Sequence, residues 1–183
     1  MRFTLLIVAL CPLFLSSAVS ADWFSCWPQD AEGGHAEERT THTALGIELR
    51  LASEWTREVS QVRFMASFKH ENGSLLTVTR QHREAGLDIL TKLEKRDLGR
   101  PWLGQECHEI MESWLPHLPE VKVRAYRSVI KMRTWSAHMV VVFSDGEDWV
   151  VVRLKERWRK HDQRLGPGEV EMIIKSLQIA MKS

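Results

Sequence analysis

The densest group of metal-ligating residue types in the chain is Cys107-His108-Glu109, followed by Glu112 and His117. Read as helical, the stretch puts His108 and Glu112 one turn apart on a shared face, the spacing of a two-ligand surface site. Zinc takes three or four protein ligands. No metallopeptidase motif supplies the rest, so no metal site is expected. Asp145, Glu147 and Asp148 gather three carboxylates around Gly146. They are able to chelate calcium weakly, but their place between two apolar runs reads as the solvated tip of a hairpin. No Gly-x-Ser-x-Gly, phosphate-cradling glycine loop or dinucleotide fingerprint is present. Serine, histidine and aspartate occur scattered. The expectation is a protein that is not an enzyme and carries no cofactor.

The densest basic patch is Arg153, Lys155, Arg157, Arg159, Lys160 and Arg164, set against Glu156 and Asp162. On an extended strand Arg153, Lys155 and Arg157 share one face, and Trp158 ends the stripe. Two readings stay open. One is a solvated charged face that protects a sheet edge. The other is a surface, built from Arg153, Lys155, Arg157 and Trp158, that docks an acidic protein or an anionic envelope component.

Residues 1–21 read as a secretory leader. Arg2 precedes the apolar run from Phe3 to Leu15, and Ser16-Ser-Ala-Val-Ser-Ala21 offers cleavage after Ser20 or Ala21. The run is shorter than the roughly 20 apolar residues of a membrane span. A periplasmic or secreted location with no stable membrane span follows. Apart from Arg2, 24 Lys and Arg residues balance 24 Asp and Glu residues. Such a balance argues against a general nucleic-acid or membrane-surface binder. Beyond the leader two cysteines remain, Cys26 and Cys107. An even count in an oxidising compartment suggests one disulfide between them.

The elements that would carry these residues follow from periodicity. Residues 22–43 are a polar lead-in whose Trp23, Phe24 and Trp27 cluster around Cys26. The remainder, 44–183, is long enough for one core-bearing domain. Leu45-Gly-Ile-Glu-Leu-Arg-Leu51 alternates and predicts a strand. Val62–Phe68 and Leu75–Thr79 flank Asn72-Gly73, a hairpin signal. Gly86–Leu98 is predicted helical. Pro101 is predicted to open a second helix that places Leu103, Cys107, Ile110, Met111, Trp114 and Leu115 on one face. Val121–Ile130 alternates as a strand. Trp135–Trp158 is predicted as a hairpin whose Val-rich halves are apolar on both faces and therefore central. Val170, Ile173, Ile174 and Leu177 recur at helical spacing, so Glu169–Ile179 is an amphipathic helix with an extended tail.

The order of these elements resembles a known family. Leu-Gly-Ile-Glu-Leu-x-Leu before Ser-Glu-Trp55, the Asn-Gly hairpin, two helices, antiparallel strands and the terminal Ile-Ile-Lys-Ser-Leu-Gln-Ile179 resemble the Mog1/PsbP-like family. The secreted bacterial, DcrB-like branch is the nearer likeness. Ala52-Ser-Glu-Trp55 stands where that family has a proline before a glycine-tryptophan turn. The resemblance implies an α+β fold, a twisted, mostly antiparallel sheet of about six strands with helices on both faces. It also implies a non-catalytic accessory, assembly or binding role. It carries over no site residues. The expected function is a periplasmic accessory or binding protein with a protein partner in the cell envelope. The alternatives are an inhibitor or immunity-type protein, and a hydrolase whose site is assembled from distant residues.

Overall fold

The structure is a computed structural model that describes residues 38–82, 89–98, 104–109, 115–131, 134–159 and 165–180. The expected leader, Cys26 and its neighbouring aromatics lie outside these residues. The chain forms two antiparallel sheets with two helices among the described residues. The larger sheet has seven strands in the order β3-β4-β5-β9-β8-β7-β6. They are β3 (Trp55–Glu58), β4 (Met65–His70), β5 (Leu75–His82), β6 (Gly104–Glu109), β7 (Lys122–Lys131), β8 (Thr134–Ser144) and β9 (Asp148–Arg159). The smaller sheet runs β1-β2-β10, from β1 (Arg39–Ala44), β2 (Ile47–Ala52) and β10 (Gln178–Ile179). Helices α1 (Ile89–Leu98) and α2 (Pro167–Lys175) complete the fold. The α+β expectation stands at this level, with more strands than the six foreseen and two sheets in place of one.

The main core lies on one face of the large sheet. Phe68, Leu76, Val78, Met139, Val141, Phe143, Val150, Val152 and Leu154 meet Ile47, Leu49 and Leu51 of β2 and Val170, Ile173 and Ile174 of α2. Here the period of two in the strands meets the three- and four-residue spacing of α2. A second cluster joins Ile89 and Leu90 of α1 to Val140, Val142, Trp149 and Val151. The Val-rich halves of β8 and β9 are thus buried on both sides, as their sequence predicts. The β8–β9 pairing runs from Thr134–Arg159 to Ser144–Trp149, with Gly146 at φ 97° in its tip. Burying both faces is what allows a run of consecutive valines to form interior strands.

Four readings need correction. The predicted second helix is the strand β6, paired with β7 and carrying Cys107 and His108. Strand β7 would otherwise keep one row of backbone donors and acceptors unbonded, and pairing with β6 satisfies them. His108 is therefore on a strand and not on a helix, and Glu112 lies outside the described residues. Leu45, expected as the first inward residue of a strand, packs half-buried against the core but lies in a turn. It forms the β1–β2 turn with Gly46, at φ 52° and 72°, the two positive values that a tight hairpin turn requires. The expected Asn72-Gly73 hairpin forms between β4 and β5, but positive φ, expected at both residues, occurs at Gly73 (87°) alone. Asn72 instead accepts the Ser74 N–H through its side-chain oxygen, at 2.9 Å. Finally, the strand expected from Val62 begins only at Met65.

Among the described residues, no helix is long and apolar enough to cross a membrane.

Candidate functional site

Strand β9 lies inside the sheet, between β5 and β8, so the basic stripe does not guard a sheet edge. Arg153 and Lys155 are half-buried and Arg157 is exposed. Trp158 is on β9, opposite Trp135 of β8. Arg153 is engaged from below, its Nη2 lying 3.2 Å from Nδ1 of His138. Nε2 of the same ring is 2.7 Å from Oγ of Ser136. Both Ser136 and His138 are buried. A serine–histidine contact of this length invites a nucleophile reading, and the arginine decides against it. A guanidinium only donates, so Nδ1 accepts and the ring proton sits on Nε2. Ser136 Oγ therefore receives a hydrogen bond where a nucleophile would have to give one. The trio cross-links β8 and β9 beneath the stripe.

The hairpin-tip carboxylates are also employed in the fold. Asp145 Oδ1 accepts the Glu147 and Asp148 N–H groups, at 3.1 and 2.7 Å. Its other oxygen pairs with Arg80, which also donates from Nε to the Leu45 carbonyl at 2.7 Å. Burial works against ionisation of Asp145. The two backbone N–H groups and the Arg80 charge outweigh it and hold the carboxyl below its ordinary range. One arginine of β5 thereby latches the β1–β2 turn to the β8–β9 tip. Among the described residues, no group of three or more His, Cys, Asp or Glu side chains gathers as metal ligands.

The backbone of Arg80 leads to a different place. Its N–H donates to the Phe64 carbonyl at 3.1 Å, fixing the end of the β3–β4 loop. Phe64 has φ 64° and is 66% exposed. A bulky residue in the left-handed region is strained, and such strain persists where surrounding structure imposes it. Val59 and Val62 in the same loop are 97% and 59% exposed. Ser60 folds the loop on itself, its Oγ accepting the Val62 N–H at 3.1 Å. Three large apolar side chains are thus held in water by a hydrogen-bonded loop. They are flanked by the exposed Arg57 and Arg63. Beside them lies a groove of about 370 Å³ lined by Arg57, Glu58, Val59, Ser60, Met65 and Ala66. A broader trough of about 660 Å³ lies across the small sheet and α2, with Arg39, Arg50 and Lys175 in its wall. Arg39 there is paired with Glu169, and Lys175 with Glu171.

Strand β3 positions the loop. Trp55 is buried, and its ring meets His70 of β4 edge-on at 5.1 Å. This anchors the short strand from which the loop departs. Arg57 stands close enough to act on His42 of β1. Burial, and secondly the Arg57 charge, hold that imidazole below its ordinary range.

The loop was not among the residues expected to carry function. Alternation through Val62, Phe64 and Ala66 imitates the start of a half-buried strand, which is why sequence reasoning passed over it.

No protein-family model matches the chain, and no curated protein matches it. A solved structure from Bacteroides thetaiotaomicron VPI-5482 is similar with a TM-score of 0.48 at 10% sequence identity, over 81% of this chain and 50% of that one. This chain thus spans about half the length of that structure. A likeness of this degree carries no argument about what either protein does.

Proposed function

We propose that the chain is a non-catalytic accessory protein of the cell envelope, secreted to the periplasm, that docks another protein through Val59, Val62 and Phe64. The carrying observation is the ordered loop itself. Single exposed apolar residues are ordinary, but a cluster on one strained, hydrogen-bonded loop marks an interaction site. The docked surface is an apolar patch with an acidic rim, because Arg57 and Arg63 outnumber Glu58 around the loop. The orientation of Ser136 and His138 supports a binding role over a hydrolytic one. A Mog1/PsbP-like arrangement with helices on both faces of the large sheet belongs to the same reading. The cluster of α1 with Val140 and Val151, and that of α2 with Val150 and Val152, support it.

The test is in-cell crosslinking and recovery of the full chain, wild type against the triple variant Val59→Ser, Val62→Ser and Phe64→Ser. A single stoichiometric partner lost in the variant is the expected result. Its identity distinguishes an assembly factor from an inhibitor of an envelope enzyme. A partner lost instead on serine substitution of Arg153, Lys155 and Arg157 would move the interface to the basic stripe.

A further inference from the structure

Strand β3 is the first strand of the large sheet, so among the described residues no strand pairs with its outer edge. Its register with β4 fixes which backbone groups face outward. The Glu71 N–H donates to the Glu54 carbonyl at 3.2 Å. Antiparallel pairs alternate between bonded and non-bonded. Counting on by twos, Thr56–Lys69 and Glu58–Ser67 are the bonded pairs, and Trp55–His70 and Arg57–Phe68 are not. The N–H and C=O groups of Trp55 and Arg57 therefore point away from β4.

We propose that the partner is recognised by strand addition. An extended segment of the partner pairs with Trp55 and Arg57 and lays alternate apolar side chains against Val59, Val62 and Phe64. This rests on the docking reading above and names its mode. Three observations select an extended segment over a flat surface. The outward backbone groups are carried by a strand that buried Trp55 holds rigid, so the template is in place before binding. Main-chain pairing supplies affinity in such recognition, and pockets for alternate side chains supply selectivity. The groove of about 370 Å³ opens at the end of this edge, lined by Arg57, Glu58 and Val59 among others. It is a concave seat for a side chain, which a bilayer would leave unfilled. Arg57 and Arg63 also set the charge of the occupant. A carboxylate opposite Arg57 completes a favourable cross-strand pair. With β3 only four residues long, the edge is a poor template for sheet aggregation, while the loop adds the apolar contact that a short ladder lacks.

The probe is a phage-displayed library of random peptides, selected on the full chain. Enriched peptides are expected to alternate apolar residues and to carry an acidic one. Amide hydrogen exchange at Trp55 and Arg57 should slow by about tenfold or more when such a peptide binds. Of the backbone groups Arg57→Pro deletes only an outward donor, so it leaves the β4 ladder bonded and abolishes peptide binding. Arg57→Ala keeps the backbone donor and weakens binding by only a few fold. If the proline variant does not fold, the exchange readout on the wild-type chain decides alone. Peptides that bind without slowing these two amides, or that bind Arg57→Pro as well as wild type, would overturn strand addition and leave loop docking standing. Peptides indifferent to Val62→Ser and Phe64→Ser would overturn the docking reading. Capture of the chain by phosphatidylglycerol vesicles, with no peptide selected, would overturn both in favour of a lipid surface.

Discussion

Gly46→Ala is the most searching perturbation of the latch that joins the two sheets. A Cβ built at Gly46 lies 2.8 Å from Arg80 Nη2, and the residue has φ +72°. Two costs follow. The left-handed backbone costs an L-residue roughly 1–2 kcal/mol. The methyl also displaces a guanidinium bonded to the Leu45 carbonyl and paired with Asp145. Hydrogen bonds to charged groups contribute about 1.5–3 kcal/mol. The Arg80 side chain is 21% exposed, so solvent screening brings that contribution toward the lower end. The single substitution should destabilise the chain by about 2.5–3.5 kcal/mol, summed from those two magnitudes. In an Arg80→Ala background the methyl meets no guanidinium and only the backbone cost of about 1–2 kcal/mol remains. A double-mutant cycle by urea denaturation, with the m-value checked for constancy, should give a coupling of about 1–2 kcal/mol. Additivity within about 0.5 kcal/mol would refute the latch, because independent sites behave that way.

Three further outcomes are expected. His42 has its folded pKa below the ordinary 6.5, so the unfolded chain binds the proton more tightly. Its contribution to stability is full above about 6.5 and is lost as the pH falls through the folded value. Urea midpoints should show that slope, His42→Phe should flatten it, and Arg57→Ala should raise the His42 pKa in an NMR titration. Ser136→Ala should destabilise by about 1–3 kcal/mol, because it strands the buried Nε2–H of His138. A loss under 0.5 kcal/mol would mean that the tautomer runs the other way. Protein secreted from cells should carry a disulfide between Cys26 and Cys107, seen as protection from alkylation until a reductant is added. Equal labelling with and without reductant would exclude it.

The parts legible in the sequence were those whose pattern is local. The valine runs around Gly146, the alternation in β7 and the apolar repeat of α2 each reflect neighbours a few residues away. Strand β6 was misread because Leu103, Cys107, Ile110 and Trp114 fit a helical face, while the open edge of β7 that claims the segment is remote in sequence. The extended tail expected after α2 is the two-residue β10, whereas the four-residue β3 is too short for any period to show. The basic stripe was placed on the right face of its strand. That β9 is interior, with His138 bonded to Arg153, depends on β8 and β5 lying on either side of it. The apolar loop was hidden for a related reason. Nothing around Phe64 announces a positive φ. It comes from Arg80, sixteen positions later, whose N–H donates to the Phe64 carbonyl and ties the loop's end to the sheet.

The most direct test is a photo-crosslinking amino acid placed at position 62 of the full chain, compared with the same group at position 178 on the small sheet. The account predicts one dominant protein adduct from position 62 in living cells, absent from position 178 and lost when Phe64 is serine. The same adducts from both positions, or none from position 62, would contradict it.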